Sequence, residues 1–186
     1  MMRLLPLAAA LVLAAAAPAT AATWTVDPAK STLGFAGTQT GEGFTGRFKT
    51  WTGTIDYDPA KPEAAHVSIS IDTGSAATGD PQRDEAMPGE DWFDASKSPK
   101  ATFEATGFTP KGGDQFETAG TLTIRGAAKP VTLPFTLKLD GDTAHATGKA
   151  TLTRTTWGVG QGDWASDQYV GFGVDVTLDL TAKRQP

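Results

Sequence analysis

The sequence predicts an all-β domain, on three observations. Apolar residues alternate with polar ones over long runs, the period of two that a half-buried strand requires. Clusters of Gly, Pro and Asp interrupt those runs at short intervals. Sustained helical periodicity is missing from the body of the chain.

The 186-residue chain begins with Met1-Met2-Arg3, an apolar run from Leu4 to Ala17, and Ala19-Thr20-Ala21. A basic start, a short apolar stretch and a small-residue site are the parts of a secretory signal. Residues 1–21 are therefore expected to be a signal peptide, leaving one domain over residues 22–186. Strands are expected near 23–27 and 31–36. The run 44–57 follows, with a switch of apolar parity between Phe48 and Trp51 that calls for a bulge or a sharp bend. Asp58-Pro59-Ala60-Lys61-Pro62 ends it. Val67, Ile69 and Ile71 form one face of a strand over 65–73.

Residues 80–95 break the pattern. Asp80-Pro81 opens them, and charged residues surround Met87, Trp92 and Phe93, so a short helix or an ordered loop is expected. Strands resume at 101–109 and 115–124, separated by Lys111-Gly112-Gly113-Asp114. Val131, Leu133, Phe135, Leu137 and Leu139 mark a strand over 131–140. Asp140-Gly141-Asp142 reads as a tight hairpin into a strand over 143–155. Its apolar side is unusually small: Ala144, Ala146, Gly148, Ala150 and Leu152. The last strand, 169–182, carries Val170, Phe172, Val174, Val176, Leu178 and Leu180 on one parity.

Eight or nine strands with one apolar face each must pack as two sheets or close into a barrel. Few helices are available to cover a sheet, and closure removes exposed edges, so a barrel is expected. The Ala and Gly strip permits either close packing or free volume inside it.

Composition excludes much chemistry. There is no Cys, hence no disulfide, thiol nucleophile or thiolate metal site. A Cys-free chain behind a Sec-type signal suits a bacterial periplasm, and without Cys no lipoprotein anchor can form. The formal charge is −5, and the signal holds one Arg and no acid, so the mature domain carries −6. An acidic chain without a basic cluster is a poor nucleic-acid binder. His66 and His145 lie far apart and read as exposed strand residues, not ligands or catalysts. Gly-Xaa-Ser-Xaa-Gly and metal-ligand spacings are missing. Arg83, Asp84, Glu85, Glu90, Asp91 and Asp94 read as a solvated loop with internal ion pairs. Gly158-Val159-Gly160-Gln161-Gly162 reads as a flexible loop between strands. No catalytic, metal or cofactor residue is assigned.

Large side chains remain. Phe35, Phe44, Phe48, Trp51, Trp92, Phe93, Phe103, Trp157 and Trp164 are either core or the wall around a long apolar ligand. The residues assigned to such a wall are Phe35, Phe48, Ile69, Met87, Trp92, Phe93 and Phe103, with Leu122, Leu133, Phe135, Ala146, Trp157 and Val176. Arg83 and Arg154 either meet a polar or anionic head group or form ion pairs with Asp84 or Asp94.

An ordered series of motifs resembles the YceI family of periplasmic lipid-binding proteins. It runs from Thr23-Trp24-Thr25-Val26-Asp27-Pro28 through Phe44-Thr45-Gly46-Arg47-Phe48 to Arg83-Asp84 and Asp91-Trp92-Phe93-Asp94. Pro99-Lys100-Ala101-Thr102-Phe103 and Gly120-Thr121-Leu122-Thr123-Ile124-Arg125-Gly126 follow, then Lys129-Pro130-Val131-Thr132-Leu133, Arg154 and Trp157-Gly158-Val159-Gly160. The resemblance implies a lipocalin-like, eight-stranded antiparallel barrel that holds an isoprenoid chain without catalysing a reaction. Trp157 and Gly171-Phe172-Gly173 depart from the family pattern near the expected mouth, where the head group would sit. Trp92 and the Trp157–Trp164 loop are similar to relatives associated with membrane cytochrome b561 domains. That likeness implies an isoprenoid quinone ligand and such a membrane partner; exposed mouth aromatics would also suit a homodimer. Two other readings stand beside this one. An enzyme acting on a small hydrophobic metabolite would need a titratable residue inside the barrel, with Glu104 and Asp175 as candidates. A stress or adhesion module would have a solid core.

Overall fold

The computed structural model describes residues 21–186. The signal segment read over residues 1–21 therefore lies, but for Ala21, outside the described residues. The strands are β1 (Ala22–Val26), β2 (Thr32–Gln39), β3 (Glu42–Phe48), β4 (Trp51–Tyr57), β5 (His66–Asp72) and β6 (Ala76–Ala77). After the helix α1 (Pro81–Ala86) come β7 (Lys100–Thr106), β8 (Thr109–Gly112), β9 (Gln115–Ile124), β10 (Ala127–Asp140), β11 (Thr143–Thr153) and β12 (Gly173–Arg184).

Eight of them close a ring in the order β1, β4, β5, β7, β9, β10, β11, β12, with β12 pairing back onto β1. Every pairing is antiparallel. The eight-stranded antiparallel barrel expected from the sequence is thus present. Closure leaves the ring strands no free edge, and alternation along each strand sorts side chains to inside and outside.

The wall has one elaboration. β12 is long enough to hold two partners along one edge: Asp175–Asp179 pair with β2, and Ala182–Arg184 pair with β1. The β2–β3 hairpin therefore rises beyond the ring at one end. Its turn residues Thr40 and Gly41 have φ of 51° and 84°, as do Arg125 and Gly126 of the β9–β10 hairpin at 51° and 74°. Positive φ at both central residues matches the twist of the strands that such a turn joins.

The parity switch between Phe48 and Trp51 is a corner between two strands, not a bulge within one. Lys49 and Thr50 leave the strand conformation and donate their N–H groups to the carbonyl and hydroxyl of Ser75. β3 then pairs with β2 and β6, while β4 pairs with β1 and β5. The last strand also starts later than expected. Residues 169–172 belong to a loop, and Phe172 is exposed rather than inward. The segment 80–95 contains α1 followed by turns.

The two ends of the barrel differ. The far end is filled by Trp24, Tyr57, Phe108 and Phe135, with Phe108 and Phe135 ring centroids 4.9 Å apart. Ala144 and Ala146 are buried among them. At Ala144 and Ala146 the small-residue strip thus lies against large rings that leave a void of only about 70 Å³. The other end is roofed by α1, the segment 87–98 and the loop joining β11 to β12.

Candidate functional site

The roof is held by backbone and side-chain hydrogen bonds more than by ion pairs. Asp80 starts α1: its Oδ1 accepts from the N–H groups of Gln82 and Arg83, both at 3.0 Å, and Pro81 occupies the first helical turn. Arg83 reaches back to the hairpin. Its Nη1 donates to Gln39 Oε1 at 3.0 Å, its Nε to Thr78 Oγ1 at 3.2 Å, and its guanidinium lies 4.9 Å from the Phe44 ring centroid.

Asp84 accepts from the Thr78 N–H at 2.6 Å, the Thr78 hydroxyl at 2.8 Å and the Gly79 N–H at 3.2 Å. The Thr78 bonds hold its carboxyl below the ordinary aspartate value of 3.8, and Gly79 and Lys49 act in the same direction. A lowered folded value means that the stabilising contribution is complete above pH 3.8 and is lost as pH falls below it. Amide protection factors at Thr78 and Gly79 are accordingly expected to drop in that acid range. In Asp84→Asn they should already be low at neutral pH. Equal protection in both proteins at pH 7 would contradict this.

The segment 87–98 is tied down twice. Arg125 Nη1 donates to the carbonyls of Glu90 and Trp92 at 2.6 and 2.7 Å, and the Asp91 carbonyl accepts from the N–H groups of Gly160 and Gln161, each at 2.8 Å. Lys97 bridges Glu90 and Asp94 at 3.1 and 3.6 Å.

Arg154 organises the β11–β12 loop. It is 4% exposed, and its fork donates to four backbone carbonyls: Nε to Gly171 at 3.0 Å, Nη1 to Val159 at 2.9 Å, and Nη2 to Ser166 and Val170, both at 2.8 Å. Neither Asp84 nor Asp94 is its partner. Burial lowers its pKa, with Asp167 acting in the opposite sense. The loop that includes Gly158–Gly162 is therefore packed around a charge. Gly160 lies so close that a Cβ there would sit 1.8 Å from Arg154 Nη1, and its φ is +86°. The Trp157 Nε1–H donates to the Leu122 carbonyl at 2.9 Å, pinning the start of the same loop to β9.

Beneath this roof lies a cavity of about 440 Å³, within the size range of small-molecule sites (~300–1,000 Å³). Of the wall residues expected from the sequence, Phe35, Phe48, Met87, Trp92, Phe93, Leu122, Trp157 and Val176 line it. Arg83 and Arg154 do too. Arg154, however, is committed to backbone carbonyls, which corrects its expected role as a free head-group ligand. Ile69, Phe103, Leu133, Phe135 and Ala146 do not line this cavity. They face a separate void of about 70 Å³ at the far end. Leu33, Ile71, Leu152 and Val174 were not expected and do line the cavity. Each shares strand parity with a residue already placed inward. Gln39 was also unforeseen, because its partner Arg83 is 44 residues away.

The lining is apolar except for Gln39, Asp80, Gln82, Arg83 and Arg154. The first four gather where the hairpin tip meets α1. Glu104 and Asp175 lie elsewhere. Glu104 accepts from Ser68 on the outer surface, and Asp175 pairs with Lys149 at 2.8 Å. The Lys149 and Thr151 hydrogen bonds hold the Asp175 carboxyl below the usual range. Both histidines are exposed: His66 lies 3.7 Å from Glu104, and His145 Nδ1 lies 3.2 Å from the Thr181 hydroxyl.

Comparison with known proteins places this architecture. The sequence model of the YceI-like domain matches residues 24–182. A UPF0312 protein of Pseudomonas syringae is 30% identical over 145 residues, which span 75% of this chain and 74% of that protein. Protein YceI of Salmonella arizonae is 37% identical over 97 residues, 52% of this chain and 50% of that protein. Among solved structures, Burkholderia cenocepacia BcnA superposes with a TM-score of 0.82 at 34% identity, covering 85% of this chain and 99% of its own. A polyisoprenoid binding domain from Saccharophagus degradans shares the fold, with a TM-score of 0.70 at 15% identity over 87% and 98% of the two chains.

Proposed function

The chain belongs to the YceI-like domain family, and from that premise we propose that it binds the isoprenoid chain of an amphipathic lipid inside its barrel. The observation that carries the reading is the cavity of about 440 Å³, apolar in depth and polar where the hairpin meets α1. An isoprenoid tail gains about 0.8 kcal/mol for each methylene removed from water, so an apolar container suffices to bind it. The polyisoprenoid binding domain from Saccharophagus degradans shares the fold and supports the same ligand class.

The polar end of such a ligand faces Arg83, Gln39 and Gln82. Arg83 donates to Gln39 and Thr78 and pairs with Asp80 at 3.6 Å, and its five N–H groups exceed those partners in number. A quinone carbonyl or another acceptor-rich head group suits that arrangement. The function is carriage rather than catalysis, and the place of action is the periplasm. The basic, apolar and small-residue parts of residues 1–21 support that location.

Organic extraction of protein purified from its native periplasm, followed by mass spectrometry, tests the reading. The expected result is a stoichiometric isoprenoid lipid. Protein that carries no lipid and takes up no isoprenoid quinone on incubation would overturn it.

A further inference from the structure

The polar groups at the hairpin end of the main cavity are matched in charge. Arg83 supplies one positive charge and Asp80 one negative charge, while Gln39 and Gln82 are neutral. Asp80 is the only carboxylate in the cavity lining among the described residues. Arg154, the other lining cation, is buried where β11 ends and spends its fork on four carbonyls.

Asp80 has two tasks, and only one of them needs a charge. Its Oδ1 accepts from the N–H groups of Gln82 and Arg83, so the donors at the start of α1 are already taken by the chain itself. Asn and Ser cap helices about as well as Asp, so this task is met without a carboxylate. Its Oδ2 lies 3.6 Å from Arg83 Nη2, so the guanidinium meets an incoming head group with its charge already matched. Arg83 nevertheless has more N–H groups than partners. The mouth thus offers hydrogen-bond donors without net positive charge. A neutral head group rich in acceptors can use those donors. A phosphate could use them too, but it would bring its own charge beside the Asp80 carboxylate. In a site partly shielded from water, like charges repel more strongly than in bulk solvent. Neighbouring groups do not reverse the balance: Asp84 adds a further carboxylate, held by Thr78 and Gly79, with Lys49 as its counter-charge.

We propose that Asp80 is the specificity-determining residue of the lipid mouth: its carboxylate selects amphiphiles with an uncharged, acceptor-bearing head group and turns away prenyl phosphates. This deepens the isoprenoid-binding reading and rests on it.

The test compares two probes that share one tail, the linear three-unit isoprenoid alcohol and its monophosphate. Each is titrated into delipidated full-length mature protein and followed by tryptophan fluorescence, since Trp92, Trp157 and Trp164 line the cavity. The native protein is expected to bind the alcohol more tightly. Its affinity for the monophosphate should rise with ionic strength, because salt screens repulsion. In Asp80→Asn the monophosphate should gain about tenfold, the order expected for removing one like charge at a partly exposed site. Its rise with salt should vanish or reverse, since Arg83 is then unmatched, while the alcohol is nearly unaffected. Asp80→Ser, also a good cap, should behave in the same way and preserves the test if the Asn variant folds poorly. Asp140→Asn removes an equal charge from the β10–β11 hairpin, at an exposed position outside the cavity lining, and should leave the ratio of the two affinities unchanged. A native preference for the monophosphate, or a native monophosphate affinity that falls with salt, would overturn the proposal. So would an unchanged ratio in a folded Asp80→Asn or Asp80→Ser variant. Failure of the native protein to bind either probe would instead overturn the isoprenoid reading itself.

Discussion

Arg154→Met is expected to destabilise the protein by about 3 kcal/mol or more, because it removes the partner of four backbone carbonyls at once. Orphaning one buried hydrogen-bonding group costs about 1–3 kcal/mol, and part of the loop will relax toward water. In a domain of this size that corresponds to a fall in melting temperature of roughly 10 °C. Arg154→Lys should recover only part of the loss. An ammonium keeps the charge but cannot reproduce a planar fork that reaches Val159, Ser166, Val170 and Gly171 together. Gly160→Ala should approach the same phenotype from the other side, since its Cβ would occupy the space of Arg154 Nη1. Chemical denaturation of the three variants measures this. A loss below about 1 kcal/mol for Arg154→Met would show that the loop does not depend on the fork.

The second large effect separates the two ends of the barrel with one kind of substitution. Ala101 is buried and lines the main cavity. Ala101→Phe should fill ligand space, cutting uptake of an isoprenoid probe by about tenfold or more, the equivalent of two displaced methylenes. Its melting temperature should change little. Ala146 is equally buried, but it faces the 70 Å³ void and pairs with Leu137 on β10 and Leu180 on β12. Ala146→Phe should therefore cost roughly 1–3 kcal/mol by overpacking and leave uptake nearly unchanged. Calorimetry with a lipid-uptake assay on both variants reads the contrast. If the two behave alike, the interior is one compartment.

The sorting of side chains between inside and outside was legible in the sequence because it follows from alternation alone. Ile69 and Ile71 are both inward, as their parity requires, and so are Val176 and Leu178. Which pair member meets the cavity was not legible. That depends on how far along the barrel axis each residue lies, and hence on the stagger of eight strands. Ile69, Phe103, Leu133, Phe135 and Ala146 were placed correctly as inward and incorrectly as cavity wall for this one reason. The Ala and Gly strip had the same ambiguity. Only the large rings of Trp24, Tyr57, Phe108 and Phe135, brought from four other strands and turns, decide that little space is left at Ala144 and Ala146.

The arginines mark a second limit. Arg83 and Arg154 are both conspicuous in an apolar setting, and carboxylates were the natural partners to consider. Arg154 is instead satisfied by carbonyls, which every residue carries and no sequence displays. Arg83 meets Gln39 across 44 positions, a contact made by the hairpin rising over the ring.

By itself, then, the sequence determined an all-β chain with one apolar face per strand and no thiol or clustered-histidine chemistry, because periodicity and residue type act locally. The tertiary structure decided the hollow end and the filled end, the roof, and which residues a ligand would touch. Those depend on register and on backbone groups meeting across long separations in sequence, where local pattern carries no information.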